Sequence, residues 1–382
     1  MNKFFSLIFA ICSVIFAFFT VFDLKIAKNA KSYEENIEIE AKGFCLIEKT
    51  TNRVIYKKDE HVRLPMASTT KIITAILAIE NTEDLDEIKT VPDSAVGTEG
   101  SSMYLKYGEK YSVRELLYGL MLPSGNDSAN AIAEIVFGSI ENYRVKANEF
   151  VKSLGLTDTN IVTPSGLHDD NHYTSAYDLA IISSYAMNNE TFREIVKTPS
   201  MHYPKTESNT EKRLRNKNKI MYEYNLINGI KTGYTPEAGR CLVASANNGE
   251  LEFICVLLNS PKMENLGKIM LEKAFSEYKI AEIIPSYKHI ASVPVLSSET
   301  KDIGLFSKNS FSYPVKKSEE SKINILYDYP TNFVAPVESN TKVGTVKVYF
   351  ENDLIFEDDI FTINGAENTD YSFALKKVLQ NF

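Results

Sequence analysis

The sequence lacks tryptophan altogether and has only four cysteines and five histidines. Cys45, Cys241 and Cys255 lie in apolar, strand-like runs; three is an odd number, and their spacing fits no metal site. They therefore predict buried free thiols, although a Cys241–Cys255 bridge stays open because those two runs should pair. No histidine cluster has ligand spacing, so neither a metal nor an organic cofactor is expected.

Positive charge is also limited. The 42 lysines and arginines are outnumbered by 50 acidic residues, which gives a net charge of −8, and no strong basic stripe is present. Because phosphate recognition needs clustered lysine and arginine, nucleic-acid binding is not expected. A chain of 382 residues with 44% hydrophobic and 24% charged residues predicts about two globular domains.

One long apolar run is present, at the N-terminus. Lys3 precedes residues 4–22, which carry no charge and are almost wholly apolar. This run is longer than the roughly 7–15 residues of a signal-peptide core and close to the roughly 20 that span a bilayer. No clean small-residue cleavage site follows. We predict that residues 1–30 are an export signal or signal anchor, and that the protein works on the extracytoplasmic face of the cell membrane or in the cell wall.

Residues 31–282 predict an α/β (α+β) domain. Apolar runs at 43–47 and 54–56 form one hairpin, and an Asn248-Gly249 turn joins two later runs in another. Helical spacing of apolar residues predicts further elements: a helix from Ser68, then helices over 113–122, 128–136, 142–154, 177–188 and 263–278. The order of strands, helices and strands indicates a sheet whose first and last strands close around a helical insert.

Helical periodicity ends near Pro285. Short β-type runs separated by turn residues then continue to about residue 363, which predicts a smaller all-β domain over 283–364. In the tail, residues 365–382, Tyr371, Leu375 and Leu379 fall on one helical face. This segment is either an amphipathic helix on a membrane surface or a helix docked on the β domain.

Ser68 and Lys71 carry the first candidate chemistry. At a spacing of three on a helix start, their side chains share one face. A serine hydroxyl is a poor nucleophile until a base takes its proton, and a lysine can be that base only if burial and nearby positive charge lower its pKa. Alone, the serine is better explained as an ordinary helix N-cap.

The second motif is Ser124-Gly125-Asn126. Ser124 is a candidate proton shuttle from Lys71 toward the leaving amine, and Asn126 can offer its amide to the substrate backbone and to Lys71. Considered alone, this segment is also a good turn sequence, since serine, glycine and asparagine all favour turns.

The third motif is Lys231-Thr232-Gly233, on a predicted edge strand. Lys231 can bind a substrate carboxylate by its charge and Thr232 by its hydroxyl, while Gly233 leaves room for an extended substrate. The charge of Lys231 could also lower the pKa of Lys71. In this order, the three motifs match the S-x-x-K, S-x-N and K-T-G signatures of penicillin-binding proteins and β-lactamases.

The sequence around each motif resembles the serine-type D-alanyl-D-alanine carboxypeptidases, the low-molecular-mass penicillin-binding proteins of the peptidase S11 family. The segments that carry the resemblance are 65–71, 120–130, 229–235 and 238–246. The resemblance covers about residues 40–280 and extends more weakly through the β domain. It implies a penicillin-binding/β-lactamase-like transpeptidase fold and a hydrolase that removes the terminal D-alanine from peptidoglycan stem peptides.

The resemblance also implies residue roles. Ser68 attacks the D-Ala-D-Ala carbonyl and forms an acyl-enzyme, and the backbone amides of Ser68 and Tyr234 form the oxyanion hole. β-Lactams mimic the substrate and should acylate Ser68. Two positions depart from the family: Lys217 stands where many relatives have arginine, and Arg240 replaces an aromatic residue often seen there.

Two other functions share these motifs. A class A-type β-lactamase needs a deacylating glutamate, usually in an E-x-x-x-N arrangement, and between Asn126 and Lys231 no glutamate has an asparagine three or four residues later. A non-catalytic penicillin-binding wall module is the second alternative, which a lost motif residue would support. Every motif residue is present, so the carboxypeptidase is the favoured interpretation.

Overall fold

The computed structural model describes residues 37–369 and 378–379. Its strands, in chain order, are β1 (Gly43–Glu48), β2 (Val54–Lys58), β3 (Ile88–Thr90), β4 (Lys110–Ser112), β5 (Ser200–Tyr203), β6 (Lys212–Arg215), β7 (Ile227–Thr235), β8 (Gly239–Asn247), β9 (Glu252–Leu258), β10 (Tyr278–Ile284), β11 (His289–Leu296), β12 (Asp302–Ser307), β13 (Phe311–Lys316), β14 (Ile323–Asp328), β15 (Phe333–Val334), β16 (Lys342–Phe350) and β17 (Asp353–Thr362). Its α-helices are α1 (Lys71–Glu80), α2 (Val113–Met121), α3 (Asn126–Phe137), α4 (Ile140–Ser153), α5 (Ala176–Ala186), α6 (Glu190–Lys197) and α7 (Met263–Glu277). A 3-10 turn, Ala67–Thr70, directly precedes α1.

A five-stranded antiparallel sheet organises the larger domain, in the order β2-β1-β9-β8-β7. Early and late parts of this domain meet where Cys45 of β1 pairs with Val256 of β9, which confirms the predicted closure. The Lys-Thr-Gly motif lies on β7, which is an edge strand, as predicted. An edge strand leaves one row of backbone N–H and C=O groups available to an extended ligand.

The cysteines of the described part are buried free thiols. Cys255 lies opposite Ala244 on β8, three positions along the strand from Cys241. Three strand residues span about 10 Å, which is beyond the reach of a disulfide. The Cys241–Cys255 bridge that the sequence left open therefore does not form, and both thiols pack as small apolar groups.

Helices cover both faces of this sheet. All residues of β9 are buried, because successive side chains point to opposite faces. Ile254 joins the core that includes Ile72 of α1, whereas the ring of Phe253 packs on Phe275 of α7, with centroids 4.9 Å apart. Lys71 to Ala78 of α1 are all buried, so the helix that begins with Lys71 is fixed inside the domain.

The predicted elements are confirmed for most segments of this domain, with three differences. Asn126, which the sequence places in a turn, is the first residue of α3, and Gly125 is at its N-cap. Helix α6, only eight residues long, has no counterpart among the predictions, although its Asn189 side chain caps it in the usual way. The hairpin of β5 and β6 likewise has no counterpart among the predictions.

The second domain is all β, as predicted. Six of its strands form one sheet, in the order β14-β16-β17-β12-β11-β15, and β10 pairs with β13 separately. Its core is apolar and includes Ile303, Leu305, Val346, Val348 and Ile360. Because β10 begins at the residue after α7 ends, the chain passes from one domain to the other without a linker.

Arg53, in the connection between β1 and β2, joins the two domains. Its guanidinium lies 4.3 Å from the centroid of the Phe350 ring and pairs with Glu319 at 2.9 Å. The Arg53 side chain is only 9% exposed, so these contacts are shielded from solvent. Nearby, Lys316 of β13 pairs with Glu277 at the end of α7. The domains are thus held by buried and half-buried charges as well as by the chain itself.

The predicted membrane segments fall largely outside the described residues. The apolar run at 4–22 lies wholly outside them, and so does most of the tail at 365–382. Within residues 37–369 and 378–379, no helix is long and apolar enough to cross a membrane.

Candidate active site

The three sequence motifs meet at one cleft of about 900 Å³. The 3-10 turn, the turn before α3 and strand β7 contribute Ser68, Ser124 and Thr232 to its lining. The segment around β6 and the start of α7 supply much of the rest. Residues separated by more than a hundred positions are brought together because α1 and α3 are packed beside the edge strand that carries the third motif.

Lys71 is the centre of the contacts behind Ser68. The Lys71 Nζ atom lies 2.8 Å from Ser68 Oγ, 2.7 Å from Asn126 Oδ1 and 2.6 Å from the carbonyl oxygen of Ser165. The lysine is completely buried, and these three atoms are its polar surroundings. Sequence reasoning gives Ser165 no role, because a backbone carbonyl leaves no signature in residue type.

The pKa of Lys71 is held well below its ordinary range. Burial is the largest cause, followed by the positive charges of Lys231 and Lys217. The carboxylate of Asp127 opposes the shift without cancelling it. The sequence proposed burial and Lys231 as the two causes, and the geometry adds Lys217.

A neutral amine fits the contacts of Lys71. It has two N–H donors and one lone pair. The two donors match the oxygens of Asn126 and Ser165, which can only accept. The lone pair is then left for the hydroxyl proton of Ser68. In this arrangement the Lys71 amine can accept the hydroxyl proton of Ser68.

Ser124 adopts a left-handed backbone conformation, with φ of 68°, at the turn between α2 and α3. This conformation is uncommon for a residue with a Cβ and is often found at functional sites. The residue is 4% exposed, and its Oγ has no hydrogen-bond partner among the described atoms. Because an unpaired buried hydroxyl costs free energy, this oxygen is available to a ligand in the cleft that Ser124 lines.

Asn126 is oriented by the loop that precedes β4. Its Nδ2 donates to the carbonyl of Glu99 at 2.7 Å, and its backbone N–H donates to the carbonyl of Ser101 at 2.7 Å. With Nδ2 engaged, Oδ1 is turned to Lys71. The same loop therefore fixes one of the two acceptors that surround the Lys71 amine.

Asp127 holds this loop in place, a role that the sequence motifs do not indicate. Its carboxylate is 1% exposed. The carboxylate accepts four hydrogen bonds of 2.6–3.0 Å, from Ser102 Oγ and from the backbone N–H groups of Met103, Leu105 and Ser128. A buried charge needs such partners, and here they close loop 99–105 against α3.

Strand β7 passes directly against the 3-10 turn that carries Ser68. A Cβ added to Gly233 would lie 3.0 Å from the backbone N of Ser68 and 3.1 Å from the carbonyl oxygen of Met66. Only glycine permits so close an approach without displacement. Thr232 and Tyr234 line the cleft on either side, and Tyr234 is 67% exposed.

Lys231, on the same strand, is buried. Its Nζ donates to the carbonyl of Thr232 at 2.9 Å. Burial and the charge of Lys217 lower the pKa of Lys231 to about 7. A carboxylate bound nearby would raise this pKa again, because an opposite charge favours the protonated amine.

The two departures from the family pattern both lie in the cleft. Lys217 donates to Ser101 Oγ at 2.9 Å, so this position still supplies a positive charge. Arg240 pairs with Glu264 at 2.5 Å, and both side chains line the cleft. The Arg240 side chain is 44% exposed, and an ion pair this open to solvent contributes little energy.

One group within the described ranges brings metal-type ligand atoms together. His61, Asp158 and Asp178 each have one such atom within 4.8 Å of the others, away from the cleft. Asp158 already pairs with Arg63 at 3.1 Å, and Asp178 accepts from Thr159 at 2.9 Å. Both carboxylates are thus engaged in contacts within the protein.

Comparison with known families gives two matches. The model of the D-alanyl-D-alanine carboxypeptidase family (peptidase S11) matches residues 28–262. The model of the penicillin-binding protein 5 C-terminal domain matches residues 278–368. The first match alone covers more than half of the chain.

Individual relatives agree with these matches. D-alanyl-D-alanine carboxypeptidase DacF of Bacillus subtilis is 32% identical over 364 residues, 92% of each chain. D-alanyl-D-alanine carboxypeptidase DacA of Escherichia coli is 28% identical, over 83% of this chain and 81% of that one. Among solved structures, penicillin-binding protein 5 from Haemophilus influenzae has a TM-score of 0.70 at 25% identity, covering 87% of this chain and 98% of that one.

Proposed function

This chain belongs to the D-alanyl-D-alanine carboxypeptidase family, and we propose that Ser68 is its nucleophile, Lys71 its base and Ser124 its proton relay. The observation that supports these roles best is the set of contacts around Lys71. It is a fully buried amine with a lowered pKa, two carbonyl-type acceptors and one serine hydroxyl. The substrate is a peptidoglycan stem peptide that ends in D-Ala-D-Ala.

Acylation begins when the neutral amine of Lys71 takes the hydroxyl proton of Ser68. The Ser68 oxygen attacks the carbonyl carbon of the penultimate D-alanine. The proton then passes through Ser124 to the departing nitrogen, the C–N bond breaks and D-alanine leaves. An ester to Ser68 remains, and Lys71 is neutral again. Water attacks this ester, with Lys71 as base, and releases the shortened peptide.

Strand β7 supplies the binding groups in this proposal. The terminal carboxylate binds the ammonium of Lys231 and the hydroxyl of Thr232. The backbone N–H groups of Ser68 and Tyr234 stabilise the negative oxygen that develops during attack, and one such donor contributes about 10²–10³ in rate. The close approach of Gly233 to Ser68 N supports this pairing of donors. β-Lactams acylate Ser68 by the same route.

We further propose that the protein is exported and works outside the cell membrane, held there by residues 1–30 and by the tail at 365–382. The apolar run behind Lys3 and a substrate that lies in the cell wall support this location. Cell fractionation followed by immunodetection tests it. Recovery of the protein from the cytosol alone would contradict the proposal.

Release of D-alanine by the purified protein tests the proposed chemistry. We expect release from a pentapeptide ending in D-Ala-D-Ala, none from the same peptide ending in D-Ala-L-Ala, and none by Ser68→Ala. Mass spectrometry after incubation with benzylpenicillin should find one penicilloyl group on the Ser68 peptide. Folded protein that binds penicillin but releases no D-alanine would favour the non-catalytic wall module instead. Rapid turnover of penicillin without peptide hydrolysis would favour a β-lactamase.

A further inference from the structure

Four cations form a basic ladder along one wall of the cleft. They are Arg213, Arg215, Lys217 and Lys219. All four are exposed, whereas the residues that alternate with them, 212, 214, 216 and 218, are buried. This alternation is that of an extended backbone, in which successive side chains point to opposite sides. The basic ladder therefore presents its charges together, in the cleft that Ser68 also lines.

The buried side of this segment is anchored by polar contacts. Lys212 pairs with Glu109 at 3.2 Å, and both side chains are 4% exposed. Asn216 Nδ2 donates to the carbonyl of Thr198 at 3.1 Å, and Asn218 Nδ2 donates to a carbonyl of β7 at 3.2 Å. If the segment moved, these buried polar groups would lose their partners, which costs free energy. The contacts therefore hold the basic ladder in place along the wall of the cleft.

The ladder carries more positive charge than its surroundings neutralise. Within residues 37–369 and 378–379, Arg215 and Lys219 have no acidic partner, and the Arg215 guanidinium lies 5.4 Å from the centroid of the Tyr222 ring. Arg213 pairs with Glu211 at 2.8 Å, on an open surface where such pairs are weak. An incoming carboxylate can therefore bind there without removing a strong internal partner.

The ladder also extends beyond the reaction centre. Arg213, Arg215 and Tyr222 line a second hollow of about 470 Å³ as well as the main cleft. His202 lines this second hollow too, and Ser68 does not. A ligand that starts at Ser68 and continues along the ladder would reach Arg213 and Arg215 with groups remote from the scissile bond.

We propose that the basic ladder binds carboxylates of the stem peptide other than its C-terminal one, and so makes the enzyme selective for acidic stem peptides. This inference rests on the proposed function, in which Lys231 and Thr232 take the terminal carboxylate. The charges of Arg213 and Arg215 are then left for acidic groups on the residues that precede D-Ala-D-Ala. Amidation of those groups in the wall would make the peptide a poorer substrate.

Two synthetic pentapeptides ending in D-Ala-D-Ala test this. In one, the second and third residues carry free carboxylates; in the other, the same positions carry carboxamides. At low ionic strength, kcat/KM should be about 3- to 10-fold higher for the carboxylate peptide. Added salt and the double variant Arg213→Gln/Arg215→Gln should both bring the ratio toward one. Arg144→Gln, an exposed arginine on α4 outside the cleft, is the matched control and should keep the parent ratio.

Glu211→Gln supplies a test of opposite sign. Because Glu211 competes for Arg213, its neutralisation should raise the ratio above that of the parent. Glu211 is exposed, so the substitution should leave the fold unchanged. Equal kcat/KM values of the parent for the two peptides would overturn this inference and leave the proposed function intact. Absence of hydrolysis of either peptide would overturn both. A double variant with the parent ratio would also refute the role of the ladder.

Discussion

Replacing Gly233 with alanine tests whether β7 must lie in close contact with the 3-10 turn that carries Ser68. The added Cβ would lie 3.0 Å from Ser68 N, 3.1 Å from Ala67 Cβ and 3.1 Å from Met66 O. Ordinary van der Waals contact begins at 3.4 Å, so all three contacts are too short by a few tenths of an ångström. None of the three atoms can move by a change of rotamer, so the strand or the turn must shift.

The shift should reach the reacting oxygen. Overpacking of this kind costs about 1–3 kcal/mol of stability. In an active site, a 1 Å misplacement can cost about 10² in rate, so a displacement of a few tenths of an ångström predicts a loss of about 4- to 6-fold in acylation. Ser68 N also moves, and it is one of the two proposed oxyanion donors, so hydrolysis of the peptide should fall at least as much as acylation by penicillin.

The assay is the second-order rate of acylation by a fluorescent penicillin, followed beside D-alanine release and thermal unfolding. Gly43→Ala, on β1 rather than β7, is the control. Its added Cβ would lie 3.1 Å from the end of the Leu64 side chain, which is flexible and can move aside. We expect Gly43→Ala to acylate at the parent rate. If folded Gly233→Ala is also acylated at the parent rate, the contact between β7 and the 3-10 turn does not set the position of Ser68.

Four further outcomes follow from the same geometry. Lys217→Gln removes a charge that lowers the pKa of Lys231, and protonated Lys231 is the form that binds the carboxylate. The value of kcat/KM should therefore fall above pH about 7 in the parent and only at higher pH in the variant. The same alkaline fall of kcat/KM in both proteins would refute this. Ser124→Ala should lower kcat on the peptide by about 10²–10⁴-fold with KM little changed, and an unaltered kcat in steady-state assays would exclude the relay. Asp127→Asn should cost about 1–3 kcal/mol in urea unfolding, because an amide cannot accept all four donors; parent stability would show that loop 99–105 has another support. Arg53→Gln should separate the unfolding of the two domains in calorimetry, whereas one unchanged transition would show that Arg53 does not couple them.

Local signals explain what could be predicted of the fold. The Asn248-Gly249 turn and the flanking apolar runs defined β8 and β9, and helical spacing defined α1, because each signal lies within a few residues. The hairpin of β5 and β6 carried no such signal. Of its buried positions only Leu214 is apolar, because Lys212 and Asn216 in the same alternation are polar and satisfied by hydrogen bonds. A hydrophobic pattern of period two could not reveal it.

The candidate site shows the same limit. Residue type and motif order indicated which motif residues meet in the cleft, from Ser68 through Ser124 to Thr232. They could not indicate the carbonyl of Ser165, because every residue has one. Nor could they show that Asp127 accepts four hydrogen bonds that hold loop 99–105, which in turn orients Asn126 toward Lys71. The chemistry was therefore legible in the sequence, whereas its tuning depends on backbone groups that only the fold brings together.

The contacts of Arg53 and Glu277 also determine how far this enzyme can reach. Because these contacts tie the two domains together, they limit how far Ser68 can move relative to a surface that holds the β domain. If the protein is anchored at the membrane as proposed, stem peptides at that height are trimmed and those in more distant layers are not. The β domain then acts as a spacer, and its size sets which layer of the cell wall the active site can reach.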